Sequence, residues 1–539
     1  MKFIQLLSPA AAPEIPERSD IAPRLVKLDG ARIGVLYNNR PNADVLLRAC
    51  VEEIVATTSA QLTTWRTKRH VGVPEPDLDM FEDCDLVLVA AADIGAAMSW
   101  TVRDAVRLER SGTPTALIAC TEVITECRFT LAAEGLPGLP VVVVPALSQL
   151  PQDEVVGLAE AVVRDIFEVL TDPVDNLVAA ALADAARSAP RPGPEYLSVS
   201  NDIDGVTEAN AEFYARGWAD GLPIGLPTPK YVAELVACSS YPADHVLGVL
   251  PPRYGLATVE KVAVNAAIAG CRPAHFPAVV AAVQATSAEE FMLESIQTTT
   301  NPCTPLLIVN GPWAEATGMN SGANVLGQGN IANAAIGRAL RLCLTNIGGA
   351  VPEKVDRATQ GMPGKYSYCM AENEGANPWS PLHVELGFQT SDSTVTVIAA
   401  EAPHNINEHV HGSAHGIVRT VADSMAASAG NNIHHHGSEV VVVLCPYHAR
   451  RIRADGWTKD DVRRFLYENA RKPMAAVRDR GSFVKFWDRW IEDGDSDSLV
   501  PITADWRDIL VVVAGGSGKH SCWIPTFGVS RAATALIAL

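Results

Sequence analysis

Four short apolar runs that alternate with amphipathic stretches constrain the fold of this chain more than any other feature. Each run is rich in β-branched residues and shows no polar alternation, which is typical of a parallel strand covered on both faces. Helical segments that begin near Asn42 and Ser99 lie between the runs and would cover them. The pattern predicts an α/β fold with an N-terminal doubly wound parallel sheet. The runs are ARIGVLY from Ala31, CDLVLVAAA from Cys84, PTALIAC from Pro114 and LPVVVVP from Leu139.

A segment rich in Pro, Ser and Gly, residues 188–202, is predicted to be a linker. We therefore expect an N-terminal α/β domain over residues 1–187. Strand-like and helix-like segments alternate again over residues 203–539, which we expect to form a larger α/β region of one or two domains that carries the active site. The length of 539 residues fits three or four units with separate cores.

Composition and charge limit the partners of the chain. It contains 62 Asp and Glu against 43 Lys and Arg, a net charge of −19, which disfavours binding to nucleic acid and to anionic membrane surfaces. No apolar stretch approaches the length of about 20 residues that a membrane-spanning helix needs, and the start does not resemble a secretory signal, so we expect a cytoplasmic protein. The 11 cysteines occur singly, without a CxxC pair, and are expected to be reduced. A homodimer is compatible with this composition but no segment requires one.

The distribution of histidine is uneven, because ten of the 13 lie after residue 380. Two carboxylates, Glu372 and Glu374, precede His383 and Glu385, and a strand at the latter pair would place both side chains on one face. Carboxylates and imidazoles suit general acid and base catalysis or a divalent metal such as zinc or iron, for which Glu372, His383 and Glu385 are the candidate ligands. The alternative is a set of structural hydrogen bonds. No HExxH motif is present.

A second imidazole-rich segment places Glu408 beside His409, with His411 two residues later. His409 is a candidate catalytic residue. The alternative is a polar loop before a helix capped by Ser413. The later triplet, residues 434–436, is expected to be a solvated loop.

Two segments have the composition of oxyanion sites. After a predicted strand ending near residue 513, Gly516, Gly518, Lys519 and His520 would offer backbone N–H groups, a fixed positive charge and an imidazole, although the Walker pattern is not met. A second glycine-rich loop contains Asn330 and leads into a predicted helix with Arg338. We expect His520 to be a catalytic residue and the other residues of the two loops to bind an anionic part of a substrate. A tight glycine turn is the alternative for the second loop.

Longer motifs after the linker give the chain a family resemblance. With DGLPI at residues 220–224, LHVE at residues 382–385 and GKHS at residues 518–521, among others, it resembles the UGSC-motif selenoprotein family. The resemblance implies a small α/β domain bearing selenocysteine-Gly-Ser-Cys, fused to a larger region, and thiol or selenol redox chemistry.

This chain departs from the family at the motif itself, where Ile94, Gly95, Ala96 and Ala97 stand. Ile94 and Ala97 stand at the two positions where the family has selenocysteine and cysteine. Neither side chain can form a mixed disulfide or be reduced, so the selenol step is excluded at this site. We therefore expect the N-terminal domain to be a scaffold or lid. The larger region would carry out a non-redox lyase, hydratase, hydrolase or rearrangement reaction on a small carboxylated, anionic molecule, in a biosynthetic pathway and with or without a metal ion.

Two alternatives remain open. One is a thiol-based oxidoreductase that uses Cys303, Cys369 or Cys522, the last of which has Lys519 and His520 close by in sequence. The other is a subunit that binds a small molecule without turnover.

Overall fold

The computed structural model describes residues 2–11, 21–68, 74–91, 95–173, 194–200, 204–427, 431–435, 438–478, 498–528 and 530–539. Within these ranges no helix combines the length and the apolar character needed to cross a lipid bilayer.

The N-terminal domain is built on a five-stranded parallel sheet with the order β3-β2-β4-β5-β6. Helices α1 and α5 pack together, as do α2 and α3, so that the central strands are fully covered. This confirms the predicted doubly wound sheet. The elements up to the end of this domain are β1 Lys2–Leu7, β2 Arg32–Tyr37, α1 Ala43–Thr57, β3 Gln61–Thr67, β4 Leu86–Ala90, α2 Gly95–Arg110, β5 Thr115–Cys120, α3 Ile124–Ala133, β6 Val141–Val144, α4 Gln152–Gly157 and α5 Ala159–Thr171.

The first strand of the chain does not join this sheet. Strand β1 pairs in antiparallel register with β7, Pro194–Val199, a strand inside the segment predicted to be a linker. Leu6 and Ala11 pack in the core of the larger region. The predicted domain of residues 1–187 and linker of residues 188–202 thus need an adjustment: the chain starts in the larger region, forms the N-terminal sheet and returns beside its own beginning. Residues 188–193, 201 and 202 lie outside the described ranges.

The larger region is a face-to-face pair of four-stranded mixed sheets, ordered β11-β10-β12-β19 and β13-β18-β14-β17. Apolar side chains of β10 and β12 meet those of β14, β17 and β18 in one shared core. Helices α8, α9 and α12 cover the outer face of the first sheet, and α14, α16 and α17 cover that of the second. The elements are α6 Gly205–Ala215, α7 Pro229–Val236, β8 Val246–Leu250, β9 Gly255–Thr258, α8 Val259–Ala269, α9 Phe276–Thr286, α10 Leu293–Thr298, β10 Thr304–Asn310, α11 Pro312–Ala316, α12 Ile331–Asn346, β11 Cys369–Ala371, α13 Leu382–Glu385, β12 Thr394–Ala400, β13 His404–Asn407, α14 Ala414–Met425, α15 Asn431–His435, β14 Val440–Leu444, α16 Pro446–Ala454, α17 Lys459–Asn469, β15 Arg471–Pro473, α18 Met474–Arg478, β16 Leu499–Pro501, β17 Ile509–Val513, β18 His520–Ile524 and β19 Ala533–Leu536.

The two parts of the chain meet at the start of helix α2, Gly95–Arg110, where the sequence was expected to carry a degenerate motif. A Cβ atom added to Gly95 would lie 2.4 Å from Cβ of Thr298 in α10, so the two backbones approach closely here. Nearby, Arg103 donates hydrogen bonds to Glu294 (2.9 Å) and to the hydroxyl of Tyr254 (2.6 Å) in the larger region. Ile94 lies outside the described residues, and so does the side chain of Ala96. At Gly95 the backbone therefore packs directly against the larger region.

Candidate functional site

A cavity of about 460 Å³ opens between the loops that follow strands β10 and β11 of the first sheet of the larger region. Strand β10 ends at Asn310, strand β11 at Ala371, and strand β17 at Val513, whose carbonyl accepts a hydrogen bond from the backbone N–H of Asn373 (2.7 Å). Strand ends thus supply the walls, as is common for sites on α/β folds. The lining residues are Gly311, Pro312, Ala314, Glu315, Met319, Ser321, Ala371, Glu372, Asn373, Glu374, Gly375 and Thr390.

Glu372 holds the loops of this cavity together. Its carboxylate accepts hydrogen bonds from the side chains of Asn310 (2.7 Å) and Asn377 (2.8 Å), and from the backbone N–H groups of Leu382 (2.8 Å) and Val513 (3.3 Å). It is 5% exposed, and burial raises its pKa, although the positive charge of Lys459 opposes the rise. Four donors surround the Glu372 carboxylate, so its role in this structure is to hold the loops in place. The sequence had suggested catalysis or metal binding for this residue.

Glu374 is the carboxylate that faces the cavity with a defined orientation. Its Oε1 atom accepts hydrogen bonds from the backbone N–H of Gly311 (2.7 Å) and the side-chain amide of Asn310 (3.0 Å). Its side chain is 30% exposed, and Nδ1 of His383 lies 3.7 Å from the same oxygen. His383 is fully buried, and neither ring nitrogen has a hydrogen-bond partner among the described residues. Glu374 and His383 therefore form a carboxylate–imidazole pair at the cavity wall.

Glu385 does not take part in this pair. The segment expected to be a strand is the one-turn helix α13, in which residues two apart point in nearly opposite directions. His383 consequently points inward, while the Glu385 carboxylate accepts hydrogen bonds from Lys459 (3.0 Å) and Arg463 (2.8 Å). The expectation that His383 and Glu385 share a face is wrong, and the metal set Glu372, His383 and Glu385 does not converge. Among the described residues, no group of three or more His, Cys, Asp or Glu side chains is arranged to hold a metal ion.

His409 and His520, two candidate catalytic residues, lie next to each other on an exposed sheet edge and are not among the residues that line the cavity. Their Nε2 atoms are 3.3 Å apart, and Nδ1 of His520 lies 3.1 Å from Oδ1 of Asn405. The Nζ atom of Lys519 lies 4.6 Å from the centre of the Tyr447 ring. The helix after this segment begins with Ser413, whose side chain accepts a hydrogen bond from the N–H of Gly416 as the sequence suggested. The side chains of residues 434–436 lie outside the described part of the chain.

In the glycine-rich loop after β17, Gly515 contacts a residue of the cavity wall and Gly516 packs against a neighbouring loop, whereas Gly518 does neither. The N–H of Gly515 donates to the carbonyl of Ser321, a lining residue (2.9 Å), and a Cβ added to Gly516 would lie 2.9 Å from Cβ of Ala323. Gly518 has open space around its Cα, so nothing in the fold requires glycine there. Gly516 thus allows two loops to pack, and it is not among the lining residues.

Asn330 and Arg338 have structural partners. Asn330 caps α12 by accepting a hydrogen bond from the N–H of Asn333 (3.1 Å) and donates to the carbonyl of Gly318 (2.8 Å). Arg338 forms a two-pronged ion pair with Asp220, at 2.7 and 2.8 Å, which anchors the proline-rich segment after α6. Both side chains are therefore engaged away from the cavity lining, contrary to the expected role in binding an anion.

The three candidate thiols are buried or partly buried, and burial raises the pKa of each. The values are about 12 for Cys369 and Cys522, and the shift for Cys303 is in the same direction. A protonated thiol is a poor nucleophile near neutral pH. Lys519 and His520, which are close to Cys522 in the sequence, therefore do not activate its thiol.

Glu374 stood out in the sequence only as a neighbour of Glu372, and Asn310 and Glu315 were not among the predicted site residues. Asn310 donates to both Glu372 and Glu374, and Glu315 lines the cavity from α11. The available signal was Asn310-Gly311-Pro312 at the end of an apolar run, where a strand passes into a helix and its polar end residue must face a loop.

Comparison with known proteins concerns the N-terminal part of the chain. The model of the UGSC family matches residues 5–172, which include the five-stranded sheet, whereas the motifs noted after residue 200 lie outside the matched range. No curated protein and no solved structure matches the chain. The N-terminal part of the chain, residues 5–172, is thus similar to the UGSC family.

Proposed function

We propose that the chain is an enzyme that transfers a proton on a small polar molecule bound in the cavity beside Glu374, without a redox step. The observation that carries the proposal is the orientation of the Glu374 carboxylate, which two donors, Gly311 and Asn310, fix at a cavity wall with His383 behind it. A positioned carboxylate of this kind can act as a general base or acid. Such a group can assist elimination, hydration, hydrolysis or rearrangement by moving a proton to or from the reacting atoms.

The charge of the cavity favours a substrate with an amine or several hydroxyl groups. Glu315, Glu372 and Glu374 line it, and the described lining residues include no Lys, Arg or His. An anionic molecule would be repelled there, whereas a cationic group would be attracted. We therefore revise the expected anionic substrate to a cationic or neutral one of small size, in keeping with a cavity of about 460 Å³.

The chain's own groups would act in the following way. Glu374 would accept the proton at the oxygen that is not held by Gly311 and Asn310, while the Gly311 N–H and the Asn310 amide stabilise its ionised form. Nδ1 of His383, 3.7 Å from Oε1 and thus beyond hydrogen-bond distance, would act on the Glu374 carboxylate through its electrostatic field. Glu372 would keep the loops in place.

The raised thiol pKa values and the missing redox motif weigh against the thiol-based alternative. A subunit that only binds a small molecule would share the cavity but would not need the Glu374–His383 pair. An enzyme would convert the bound molecule and a binding subunit would not, so a hydrogen–deuterium exchange experiment on the substrate distinguishes the two proposals.

The experiment uses full-length protein in D₂O with a mixture of small amines, amino acids and polyols, followed by mass spectrometry. We expect deuterium incorporation or conversion in a subset of the cationic or neutral compounds with the unaltered protein. The Glu374→Gln variant should lose the reaction by about 100-fold or more. The matched control is Glu289→Gln, which removes an exposed carboxylate outside the cavity lining and should leave the rate unchanged. Equal rates for Glu374→Gln and the unaltered protein would overturn the proposal, and saturable binding without exchange would favour the non-catalytic subunit.

A further inference from the structure

We propose that His409 and His520 bind a divalent transition metal ion of the zinc type through their Nε2 atoms. This site is separate from the cavity and does not depend on the function proposed for it. The two rings lie on the edge of the second sheet of the larger region, where β13 pairs with β18. Both side chains are exposed, so the remaining coordination positions would face solvent and take up water or a ligand from outside.

The spacing of the two nitrogens is the first observation. Two imidazoles bound to a tetrahedral zinc ion, each at about 2.0–2.1 Å, have nitrogens about 3.3–3.4 Å apart. The Nε2 atoms of His409 and His520 are 3.3 Å apart. The separation therefore matches that of two imidazole ligands on one ion, although a long hydrogen bond between the two rings gives the same distance.

The hydrogen bond to Asn405 is the second observation. Its side-chain oxygen lies 3.1 Å from Nδ1 of His520, which places the ring proton on Nδ1. The lone pair of Nε2 is then free and directed at His409. Metal-binding histidines commonly have their other nitrogen fixed in this way, and loss of such a partner weakens metal binding by about 10- to 100-fold.

A buried network holds the two histidines in register. His448 is fully buried; its Nε2 donates to the backbone carbonyl of Glu408 (3.0 Å), and its Nδ1 lies 2.8 Å from the hydroxyl of Ser521. Glu408 precedes His409 and Ser521 follows His520, so one imidazole connects the two segments. The Glu408 carboxylate also accepts the N–H groups of Val410 (2.8 Å) and His411 (2.6 Å), which fixes the turn after His409. Pre-organisation of this kind is what a binding site with few ligands needs.

A negative and a positive side chain lie close to the two histidines and have opposite effects on a bound cation. The Glu408 carboxylate, whose Oε1 lies 3.1 Å from Nδ1 of His411, supplies an acidic group next to the proposed ligand His409. Lys519 supplies an opposing positive charge, with its Nζ atom over the Tyr447 ring. With two protein ligands among the described residues, we expect a water-completed site that exchanges its metal readily.

The test is titration of chelator-treated full-length protein with Zn²⁺ by calorimetry and with Co²⁺ by visible absorption. We expect one ion per chain and the absorption of tetrahedral Co²⁺. His409→Ala and His520→Ala should each abolish this absorption, and Asn405→Ala should raise the dissociation constant about tenfold or more. His404→Ala is the matched control, because His404 is an exposed residue of the same strand with its ring against Trp523, 6.4 Å between centroids.

The alanine variants could lose metal binding because they unfold, and thermal unfolding of each variant checks this. The more conservative variants His409→Gln and His520→Gln test the same ligands with a smaller change in side-chain shape. Absence of Zn²⁺ and Co²⁺ binding at millimolar metal would overturn the proposal. Binding that is unchanged when both histidines are replaced would also overturn it, since the ion would then lie elsewhere.

Discussion

Ionisation of Glu126 should make the folded chain markedly less stable at alkaline pH. This carboxyl lies on α3 with 0% exposure, and neither oxygen has a hydrogen-bond partner among the described residues. The nearest cation given by the structure is Nε of Arg357, 3.7 Å from Oε1. Burial raises the pKa of Glu126 from its ordinary value of 4.5 to about 7, and the attraction of Arg357 reduces the rise only in part.

The magnitude follows from that pKa. Each tenfold change in a proton equilibrium is worth about 1.4 kcal/mol, so the change from 4.5 to about 7 makes ionisation cost the folded state about 3 kcal/mol. Because the folded pKa is the higher one, the favourable contribution is complete below about pH 4.5 and is lost as the pH rises through 7. Glu126→Gln removes the titration. Relative to the unaltered protein, this variant should therefore gain about 2–3 kcal/mol between pH 5 and pH 8.5.

The assay is urea unfolding of both proteins at these two pH values, followed by circular dichroism. Glu52→Gln, at an exposed position on α1, is the matched control and should show the pH dependence of the unaltered protein. If Glu126→Gln and the unaltered protein lose stability in parallel between pH 5 and pH 8.5, Glu126 is either not buried or not protonated, and the reasoning fails.

Two further predictions concern the degenerate motif and the thiols. Gly95→Ala should destabilise the contact between α2 and α10 by about 1–3 kcal/mol, because its Cβ would lie 2.4 Å from Cβ of Thr298. Thermal unfolding checks this, and partial rescue by Thr298→Gly is expected; a fully stable single variant would contradict the close approach. Cys522, with a pKa of about 12, should react with iodoacetamide at pH 8 at least 100-fold more slowly in the native chain than in the denatured chain. Peptide mass spectrometry measures this, and rapid native labelling would restore the thiol-based alternative.

The N-terminal sheet could be predicted from the sequence because its inner strands are covered on both faces and are therefore continuous apolar runs. Strand β3 escaped notice for the opposite reason: it is an edge strand whose residues are exposed or half-exposed, so its sequence, QLTTWRT, carries polar side chains. Strand β1 could not be placed, since its partner β7 lies almost 200 residues later and no local pattern records such a pairing.

The candidate site was predictable in composition but not in geometry. The segment with Glu372 and Glu374 was identified, yet which carboxylate faces the cavity depends on donors from Asn310, Leu382 and Val513, which only the fold brings together. His383 and Glu385 were expected on one face of a strand, but they lie in helix α13 and point in nearly opposite directions. Arg338 looked available for a substrate because its partner Asp220 is 118 residues away.

The pairing of β1 with β7 has a consequence for dividing the chain. Leu7 donates its N–H to the carbonyl of Pro227, Lys261 donates to the carbonyl of Ser8, and Asn265 donates to that of Pro9. A fragment that starts after β7 would therefore have a gap in its interior, and the side chains of Lys261 and Asn265 and the carbonyl of Pro227 would lose these partners. The larger region should be obtainable in isolation only when residues 2–11 are supplied with it, either as an added synthetic peptide or through a short engineered hairpin joining β1 directly to β7.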